Sequence, residues 1–394
     1  MRCRICNSLH LSEVLDLGLQ PLGNIFLKKE EIGSESFYPL RLIYCHDCKT
    51  AQLDYTVKKE VVYTDHTYLS GTTRTLATFF NEIAHQVDER FFKNRNKKSV
   101  LDIGSNDGTQ LKAYQKLGYD VLGVESAKRI ADIAQINGIP TLQDFYNLKT
   151  AEKIGKQFDV INAAGVFFHL EELHSVTGAI QKYLKQDGVF VVHFIYLKTL
   201  MENVAFDQVY HEHLLYYTLH TIDHLLNRHG LALFDAEFAT VHGGSIVAYA
   251  SHKGSRKATE RLLSLKQREL DSGCNELAAF KKLAKDTLDL KHKNLRFFET
   301  NQGKRIYGMG APVKGNTLLN YFRIGKNSLD CLVEKNELRR GLFSPGMHLP
   351  IRMEDEVEAP DIYYVLAWNF KNEILQNNAP LIRKGVEFYF PINS

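Results

Sequence analysis

The apolar and polar positions of the chain follow two patterns: short apolar runs that end at a glycine or an acid, and longer stretches with helical spacing. Residues 98–105, KSVLDIGS, bring an apolar run to a glycine, and residues 119–126, YDVLGVES, form a second run that ends in an acid. The segment LKAYQKLG between them is typical of a helix. Together these stretches predict a β–α–β unit.

A similar unit is predicted near the C-terminus. Residues 304–321, KRIYGMGAPVKGNTLLNY, again pass from a strand through a glycine-rich turn into a helix, and further strands are predicted within 329–336 and 361–369. Between the two units, residues 256–300 carry apolar side chains at spacings of three and four, which predicts long helices. The chain is therefore expected to be an α/β protein with two Rossmann-like domains.

Length and charge narrow the class of protein. The 394 residues are enough for two or three domains, and the formal net charge of +3 is too small to indicate a nucleic-acid or membrane partner. No apolar run approaches the roughly 18 residues of a membrane span. The opening residues, MRCRICNSLH, lack the apolar core of a signal peptide. We therefore expect a cytoplasmic protein.

Four of the six cysteines lie near the N-terminus, as two C-x2-C pairs: Cys3, Cys6, Cys45 and Cys48. In a reducing compartment such pairs favour a metal over disulfides, and four thiolates suit a closed, structural zinc site. His10 and His46 are nearby alternative ligands, although the cysteine set is complete without them. The other interpretation is four unrelated buried cysteines.

The first β–α–β unit carries a candidate nucleotide-type site. Its loop, DIGSNDG, has glycines at 104 and 108 that would let the backbone approach a ligand, and Glu125 ends the next strand at the distance, about 20 residues, where an acid can accept ribose hydroxyls. The loop is not G-x-G-x-x-G and lacks a P-loop lysine. It resembles the S-adenosylmethionine site of class I methyltransferases, although an ordinary turn is the alternative. The candidate cofactor-binding residues are Asp102, Gly104, Asn106, Gly108, Glu125, Ser126, Asp144, Phe145 and Asn162.

Further stretches extend the resemblance along nearly the whole chain. The four-cysteine opening, LDIGSNDGT, YHEHLLYYTL, HGGSIVAYA, YGMGAPVKGNTLLNY and YYVLAWNFKNEIL occur in this order. They resemble the sugar C-methyltransferases that act on nucleotide-activated keto-deoxysugars. The C-terminal glycine loop, GMGAPVKG, departs from the family pattern, which is richer in alanine, so the ligand group it contacts is in doubt.

The resemblance implies a reaction and a set of catalytic residues. A carbon beside a ketone is deprotonated, and the enolate attacks the sulfonium methyl, so a base near neutrality and donors to the enolate oxygen are needed. The family motif carries the base over to His213 and supporting roles to Glu212 and Tyr210. Tyr68 and His169 match further site residues that would contact the sugar or the enolate oxygen. Packing is the alternative for Tyr68, and capping of the following helix is the alternative for His169.

Three weaker candidates come from later segments. His242 precedes a predicted strand and would line the same cleft, unless HGG is only a tight turn. In the C-terminal unit, Lys314 and the helix start after the glycines would suit a phosphate of a sugar nucleotide. Asn316 and His348 are further candidates there. A domain that only packs is the alternative.

The sequence thus predicts a zinc-binding module at 1–65, a class I methyltransferase domain at 66–295 and a Rossmann-like domain at 296–394. The expected function is S-adenosylmethionine-dependent C-methylation, at C-3, of a nucleoside-diphosphate-linked 4-keto-deoxysugar by a monomer or homodimer. An O- or N-methyltransferase on a related sugar or small metabolite is the main alternative. A non-enzymatic zinc or nucleic-acid-binding module and an NAD-dependent oxidoreductase are less consistent with the charge and the loops.

Overall fold

Three β-sheets organise the chain in a computed structural model that describes residues 1–64, 69–72 and 74–392. The first sheet begins with three antiparallel strands: β1 (Leu11–Pro21), β2 (Phe37–Cys45) and β3 (Ala51–Leu53). A short helix, α1 (Lys59–Tyr63), follows the sheet and leads toward the central domain. Tyr68 lies outside the described residues.

The central sheet has seven strands. These are β4 (Lys98–Ile103), β5 (Tyr119–Glu125), β6 (Thr141–Gln143), β7 (Phe158–Ala164), β8 (Leu184–Ile195), β10 (Leu231–Ala239) and β11 (Ser245–His252). The order is β10-β11-β8-β7-β4-β5-β6, with β11 antiparallel to its neighbours β10 and β8 and the other six strands parallel to one another. The intervening strand β9 (Leu215–Tyr216) instead joins the first sheet beside β3. The predicted class I methyltransferase fold is confirmed.

Helices cover both faces of the central sheet. They are α2 (Arg74–Val87), α3 (Thr109–Lys116), α4 (Lys128–Ile136), α5 (Leu148–Ile154), α6 (Leu173–Tyr183), α7 (Leu197–Glu202), α8 (Leu219–Arg228) and α9 (Glu260–Ser272). The strands are apolar on both faces, as in β7, where six of the seven residues FDVINAA are buried. Parallel strands covered by crossover helices require such continuous apolar runs.

The long helix α10 (Leu277–Thr300) leads into the C-terminal sheet. That unit contains β12 (Ile306–Met309), α11 (Val313–Phe322), β13 (Leu332–Glu334), β14 (Ile351–Met353), β15 (Ile362–Val365), α12 (Lys371–Asn377), α13 (Ala379–Arg383) and β16 (Glu387–Tyr389). Its five strands are parallel in the order β14-β13-β12-β15-β16, so the strand order reverses between β12 and β15. The predicted second Rossmann-like unit is therefore present.

One apolar core joins the N-terminal and C-terminal sheets. It contains Leu40 and Leu42 of β2, Phe280 of α10 and Leu332 of β13. A second core joins Cys45 and Leu215 of the first sheet to Leu101 of the central sheet. The division at residues 65 and 295 stays a prediction. Among the described residues, no helix has both the length and the apolar character needed to cross a bilayer.

Candidate active site and metal centre

The N-terminal cysteines converge on one point. The sulfurs of Cys3 and Cys48 are 3.5 Å apart, as are those of Cys6 and Cys45, and all four lie within 4.8 Å of one another. Zinc bound to thiolates at about 2.3 Å in a tetrahedron holds neighbouring sulfurs at a comparable spacing, so the four side chains fit such an ion. The described residues contain no second cluster of this kind.

The two nearby histidines are engaged elsewhere. The rings of His10 and His46 stack on each other at 4.2 Å between centroids, and the Nε2 atom of His46 lies 2.7 Å from the hydroxyl of Ser12. His10 also lies within 3.5 Å of the carboxylate of Asp47. The four cysteines alone therefore make up the candidate metal site.

The glycine loop after β4 has the backbone shape of a ligand cradle. Gly104 and Gly108 adopt positive φ angles of 66° and 78°, which side chains other than glycine rarely adopt. A Cβ atom on Gly104 would come within 2.8 Å of Val166, and one on Gly108 within 2.8 Å of Ile139. The loop is thus pressed against its neighbours on one side and needs both glycines.

The acid at the end of β5 organises this loop. One oxygen of the buried Glu125 accepts the backbone N–H of Asn106 at 3.0 Å, and the other accepts that of Ala127 at 2.9 Å. Ser126 donates its hydroxyl to the same carboxylate at 3.4 Å. Glu125 therefore holds the glycine loop to the segment that begins α4.

Asp102 and Asn162 form a buried pair at the adjacent strand ends. The amide of Asn162 donates to Asp102 at 2.7 Å, and Gln110 donates to Asn162 at 3.3 Å. Burial raises the pKa of Asp102 to about 7, while the Asn162 hydrogen bond lowers it and the neighbouring Glu125 raises it. The two residues pair in register on β4 and β7, next to the start of the glycine loop.

Two of the candidate cofactor-binding residues, Asp144 and Phe145, lie together after β6. The carboxylate of Asp144 accepts the backbone N–H of Phe145 at 2.9 Å and the ammonium of Lys153 at 3.1 Å. Burial acts to raise the pKa of Asp144, but these donors outweigh it and leave the pKa lowered. The ammonium of Lys59 lies 4.7 Å from the centre of the Phe145 ring, so α1 approaches this side of the pocket.

The segment that follows the undescribed residues 65–68 is fixed to the glycine loop. The backbone N–H of Ser70 donates to the side chain of Asn106 at 2.8 Å, and that of Gly71 donates to Asp107 at 2.8 Å. Residue 69 therefore lies close to the cradle. The role predicted for Tyr68 stays a prediction.

The YHEH segment forms a buried turn and not a strand. The backbone N–H of His213 donates to the carbonyl of Tyr210 at 2.9 Å, which closes the turn. The ring of Tyr210 lies 3.8 Å from that of His213 between centroids, and Phe168 packs at 4.6 Å with its ring edge on. His211 points toward Tyr38 in the first sheet, with ring centroids 5.9 Å apart. The turn therefore separates the two histidines.

The ring of His213 is held in one tautomer. Its Nδ1 atom lies 2.8 Å from the carbonyl oxygen of Gln208, which can only accept, so Nδ1 carries the proton. Burial lowers the pKa of His213 well below its ordinary value; the neighbouring His169 lowers it further, and the Gln208 carbonyl opposes this. A neutral imidazole with a protonated Nδ1 presents Nε2 as a base.

Tyr63 of α1 connects the remaining site residues. Its hydroxyl donates to the carbonyl of Glu212 at 2.7 Å and lies 3.2 Å from Nδ1 of His169. His169 also donates from Nδ1 to that same carbonyl at 2.5 Å, so it does not cap the helix α6. The backbone carbonyl of Tyr63 accepts the hydroxyl of Ser126 at 3.3 Å. The sequence analysis missed Tyr63, because no local motif marks it.

A polar cluster lies where the C-terminal sheet reverses its strand order. The indole N–H of Trp368, after β15, donates to the fully buried Asp207 at 2.7 Å. The ammonium of Lys314, on α11, lies 3.7 Å above the same indole and donates to Asn369 at 2.6 Å. Burial raises the pKa of Asp207 to about 6 and lowers that of Lys314 to about 8, with each charge opposing the shift of the other.

This cluster faces the catalytic domain. Asp207 and Gln208 belong to the turn that supplies the carbonyl acceptor of His213, and the amide of Gln208 donates to the carbonyl of His242 at 3.2 Å. Burial lowers the pKa of His242 to about 4, and Lys314 lowers it further. Gln208 thus connects His242 with His213, and the role expected for His242 stays a prediction. Asp207 and Trp368 were not identified from the sequence.

The other C-terminal candidates face the N-terminal domain. The amide of Asn316 donates to the carbonyl of Gly23 at 2.7 Å, and the Nε2 atom of His348 lies 2.5 Å from a carboxylate oxygen of Glu35. At the end of β13, Glu334 accepts the backbone N–H of Ala311 at 3.0 Å and pairs with Arg339. This side of the domain is occupied by protein contacts, whereas Lys314 lies at the cleft.

Comparison with known proteins agrees with this geometry. Three family models match in succession: "Putative zinc binding domain" over residues 3–63, "Methyltransferase domain" over 76–235, and "C-methyltransferase C-terminal domain" over 240–393. The C-methyltransferase NovU of Streptomyces niveus is 27% identical over 402 residues, which cover 99% of this chain and 95% of NovU. The protein is therefore an S-adenosylmethionine-dependent C-methyltransferase.

Other relatives are similar to a quarter or a half of this C-methyltransferase. A ubiquinone biosynthesis O-methyltransferase of Bartonella tribocorum is 32% identical over 97 residues, 24% of this chain and 39% of the relative. Among solved structures, the PH0226 protein of Pyrococcus horikoshii has a TM-score of 0.38 at 17% identity and covers 50% of this chain and 100% of its own.

The geometry of the C-methyltransferase matches the requirements of carbon methylation. The glycine loop, Glu125 and the Asp102–Asn162 pair form a cradle that fits S-adenosylmethionine, which supplies an electrophilic methyl group when bound. The buried His213 lies near His169 and Tyr210. Tyr63 links this segment to the end of β5, because its hydroxyl donates to the carbonyl of Glu212 and its own carbonyl accepts the hydroxyl of Ser126.

Proposed function

We propose that this enzyme methylates the carbon beside the ketone of a nucleoside-diphosphate-linked 4-keto-deoxysugar, at C-3. His213 removes the proton through Nε2, and the resulting enolate carbon attacks the methyl group of S-adenosylmethionine. The observation that supports this most directly is the hydrogen bond from Nδ1 of His213 to Gln208, because it leaves Nε2 unprotonated in a buried, neutral ring. The ring is therefore uncharged at neutral pH and can accept a proton at Nε2.

The residues around the base would support the enolate. His169 and Tyr63 meet at the carbonyl of Glu212 and fix the backbone of the motif. Tyr210 packs on the ring of His213 and limits its rotation. We assign Glu212 and Tyr210 to orienting the base, and His169, together with Tyr68, to contacting the sugar or the enolate oxygen.

On the cofactor side, Glu125 would accept the ribose hydroxyls, and Asp144 and Phe145 would flank the adenine. The backbone of residues 104–108 would lie against the rest of S-adenosylmethionine. Lys314, at the strand reversal of the C-terminal sheet, lies on the side where the nucleotide part of the acceptor would extend. Zinc in the cysteine site would have a structural role, because four thiolates leave no open position for a substrate.

The test separates proton removal from methyl transfer. The purified enzyme is mixed in D2O with a panel of nucleotide-linked 4-keto sugars, with and without S-adenosylmethionine, and mass spectrometry measures the gain of deuterium and of methyl. Without S-adenosylmethionine, we expect deuterium exchange at C-3 and no gain of methyl. With the cofactor, we expect the gain of a single methyl group. His213→Gln should lower the rates of deuterium exchange and of methyl transfer by at least about 100-fold.

The matched control is His220→Gln, which changes an exposed histidine on α8 and should keep both activities. Methyl gain without any exchange at carbon would instead favour an O- or N-methyltransferase. Full exchange in His213→Gln would show that another group is the base.

A further inference from the structure

A second buried histidine at the sheet edge has no role in the proposed reaction. His193 lies near the end of β8 and pairs in register with Ala164 of β7, and its carbonyl accepts the N–H of Gly165 at 3.0 Å. The adjacent Val166 is the residue that touches the Gly104 position of the cofactor loop. His193 is therefore next to the part of the sheet where the methyl group would be transferred.

Both ring nitrogens of His193 are buried without a hydrogen-bond partner among the described residues, and the residue is only 1% exposed. A buried polar atom that lacks a partner costs about 1–3 kcal/mol. Buried histidines elsewhere in the chain, such as His213, satisfy at least one nitrogen. Two unpartnered nitrogens on one buried ring indicate that their hydrogen-bond partners belong to a bound ligand.

Two rings from other segments of the chain pack against His193. The ring of Phe79, from α2, packs edge-on at 5.0 Å between centroids, and the ring of His242 lies at 5.7 Å, tilted by 34°. His242 has a φ angle of 58°, a left-handed conformation that is costly for a residue with a side chain and is often found at functional sites. Burial lowers the pKa of His193 well below its ordinary value, and His242 adds to this.

We propose that His193 binds the methyl acceptor, with one ring nitrogen donating to its carbonyl oxygen and the other accepting from a hydroxyl elsewhere on the same ligand. A neutral imidazole has one donor and one acceptor, which point away from each other, so the two partner oxygens belong to well-separated parts of a compound that carries both a carbonyl and a hydroxyl. This inference rests on the proposed function for the position of the acceptor. It adds a specificity-determining contact that distinguishes hydroxylated ketones from simple ones.

The test compares His193→Leu and His193→Gln with the parent enzyme. Leucine removes both polar atoms at similar volume, so we expect an unchanged or higher melting temperature, an unchanged Kd for S-adenosylmethionine, and a KM for a deoxythymidine-diphosphate-linked 4-keto-6-deoxyhexose raised by at least about 10-fold. Glutamine keeps a donor and an acceptor and should recover part of the KM. His224→Leu removes one buried, unpartnered ring nitrogen on α8 and should leave KM unchanged.

Two results would overturn the inference. A marked fall in melting temperature for His193→Leu would show that the ring stabilises the protein itself, and an unchanged KM would show that it does not contact the acceptor. If the parent enzyme methylates none of the 4-keto sugars, the proposed function fails separately. The KM comparison is then made with whichever metabolite of a broader carbonyl panel the parent methylates, and the same two results decide it.

Discussion

Replacing Trp368 with phenylalanine tests how the C-terminal domain supports the catalytic turn. The change keeps an aromatic ring under Lys314 but removes the N–H that donates to Asp207. Asp207 is fully buried, and its other carboxylate oxygen has no hydrogen-bond partner among the described residues. The variant therefore leaves a buried carboxylate whose nearest opposing charge is Lys314.

The magnitude follows from the pKa of Asp207, which burial raises from 3.8 to about 6 even with the indole in place. A shift of that size corresponds to about 3 kcal/mol against the ionised form in the folded state. Since the folded pKa is above the unfolded one, Asp207 favours folding most at low pH, and this contribution is lost as the pH rises through about 6. Removing the N–H raises the folded pKa further.

We therefore expect Trp368→Phe to destabilise the protein by about 1 kcal/mol at pH 5, where Asp207 is mostly protonated, and by about 2–3 kcal/mol at pH 8. Melting temperatures of both proteins at the two pH values give the comparison. Because Gln208 follows Asp207 and holds the ring of His213, kcat should also fall while the Kd for S-adenosylmethionine stays the same.

Two controls isolate the carboxylate. Tyr364→Phe removes a buried hydroxyl that donates to Asn294 at 2.8 Å, a neutral pair in the same domain, so its cost should not depend on pH. In an Asp207→Asn background, Trp368→Phe should lose its pH dependence, because no charge remains to be stabilised. An equal loss of stability at pH 5 and pH 8 would refute the reasoning.

Three further predictions concern the other sites. Gly104→Ala should raise the Kd for S-adenosylmethionine at least about 10-fold, because its Cβ would meet Val166. Gly118 also has a positive φ but open space around it, so Gly118→Ala should leave that Kd unchanged. Isothermal titration measures both Kd values. Cys48→Ser should reduce the zinc content measured by atomic absorption from one ion per chain toward none, and a retained full equivalent would contradict the four-cysteine site. Tyr63→Phe should lower kcat more than it raises the Kd for the cofactor, and unchanged kinetics would exclude a role for its hydroxyl.

Local sequence features account for much of the fold. An apolar run that meets a glycine forms a strand and a turn through interactions among adjacent residues, so β4, β5 and β12 were predictable with their loops. The two C-x2-C pairs likewise fix their own local geometry. The family resemblance added an expected division into domains, which stays a prediction.

The arrangement within the site depended on contacts between distant segments. Tyr63 and His169 meet at Glu212 although 106 residues separate the first two, and Asp207 meets Trp368 across 161 residues. No periodicity or motif records such pairs, because each depends on how whole sheets pack. The raised pKa of Asp207 and the lowered pKa of His213 also arise from burial, which exists only in the folded chain.

The YHEH segment illustrates the boundary between the two kinds of information. The sequence alone determined which acid–base groups are present. In an extended strand, side chains alternate between faces, so Glu212 and His213 would have pointed in opposite directions. The tertiary structure decided that the segment turns, that His211 faces the first sheet, and that Nδ1 of His213 carries the proton, which it donates to the backbone carbonyl of Gln208. The physical reason is that a buried ring takes its tautomer from the partner it is packed against, and packing is a property of the whole chain.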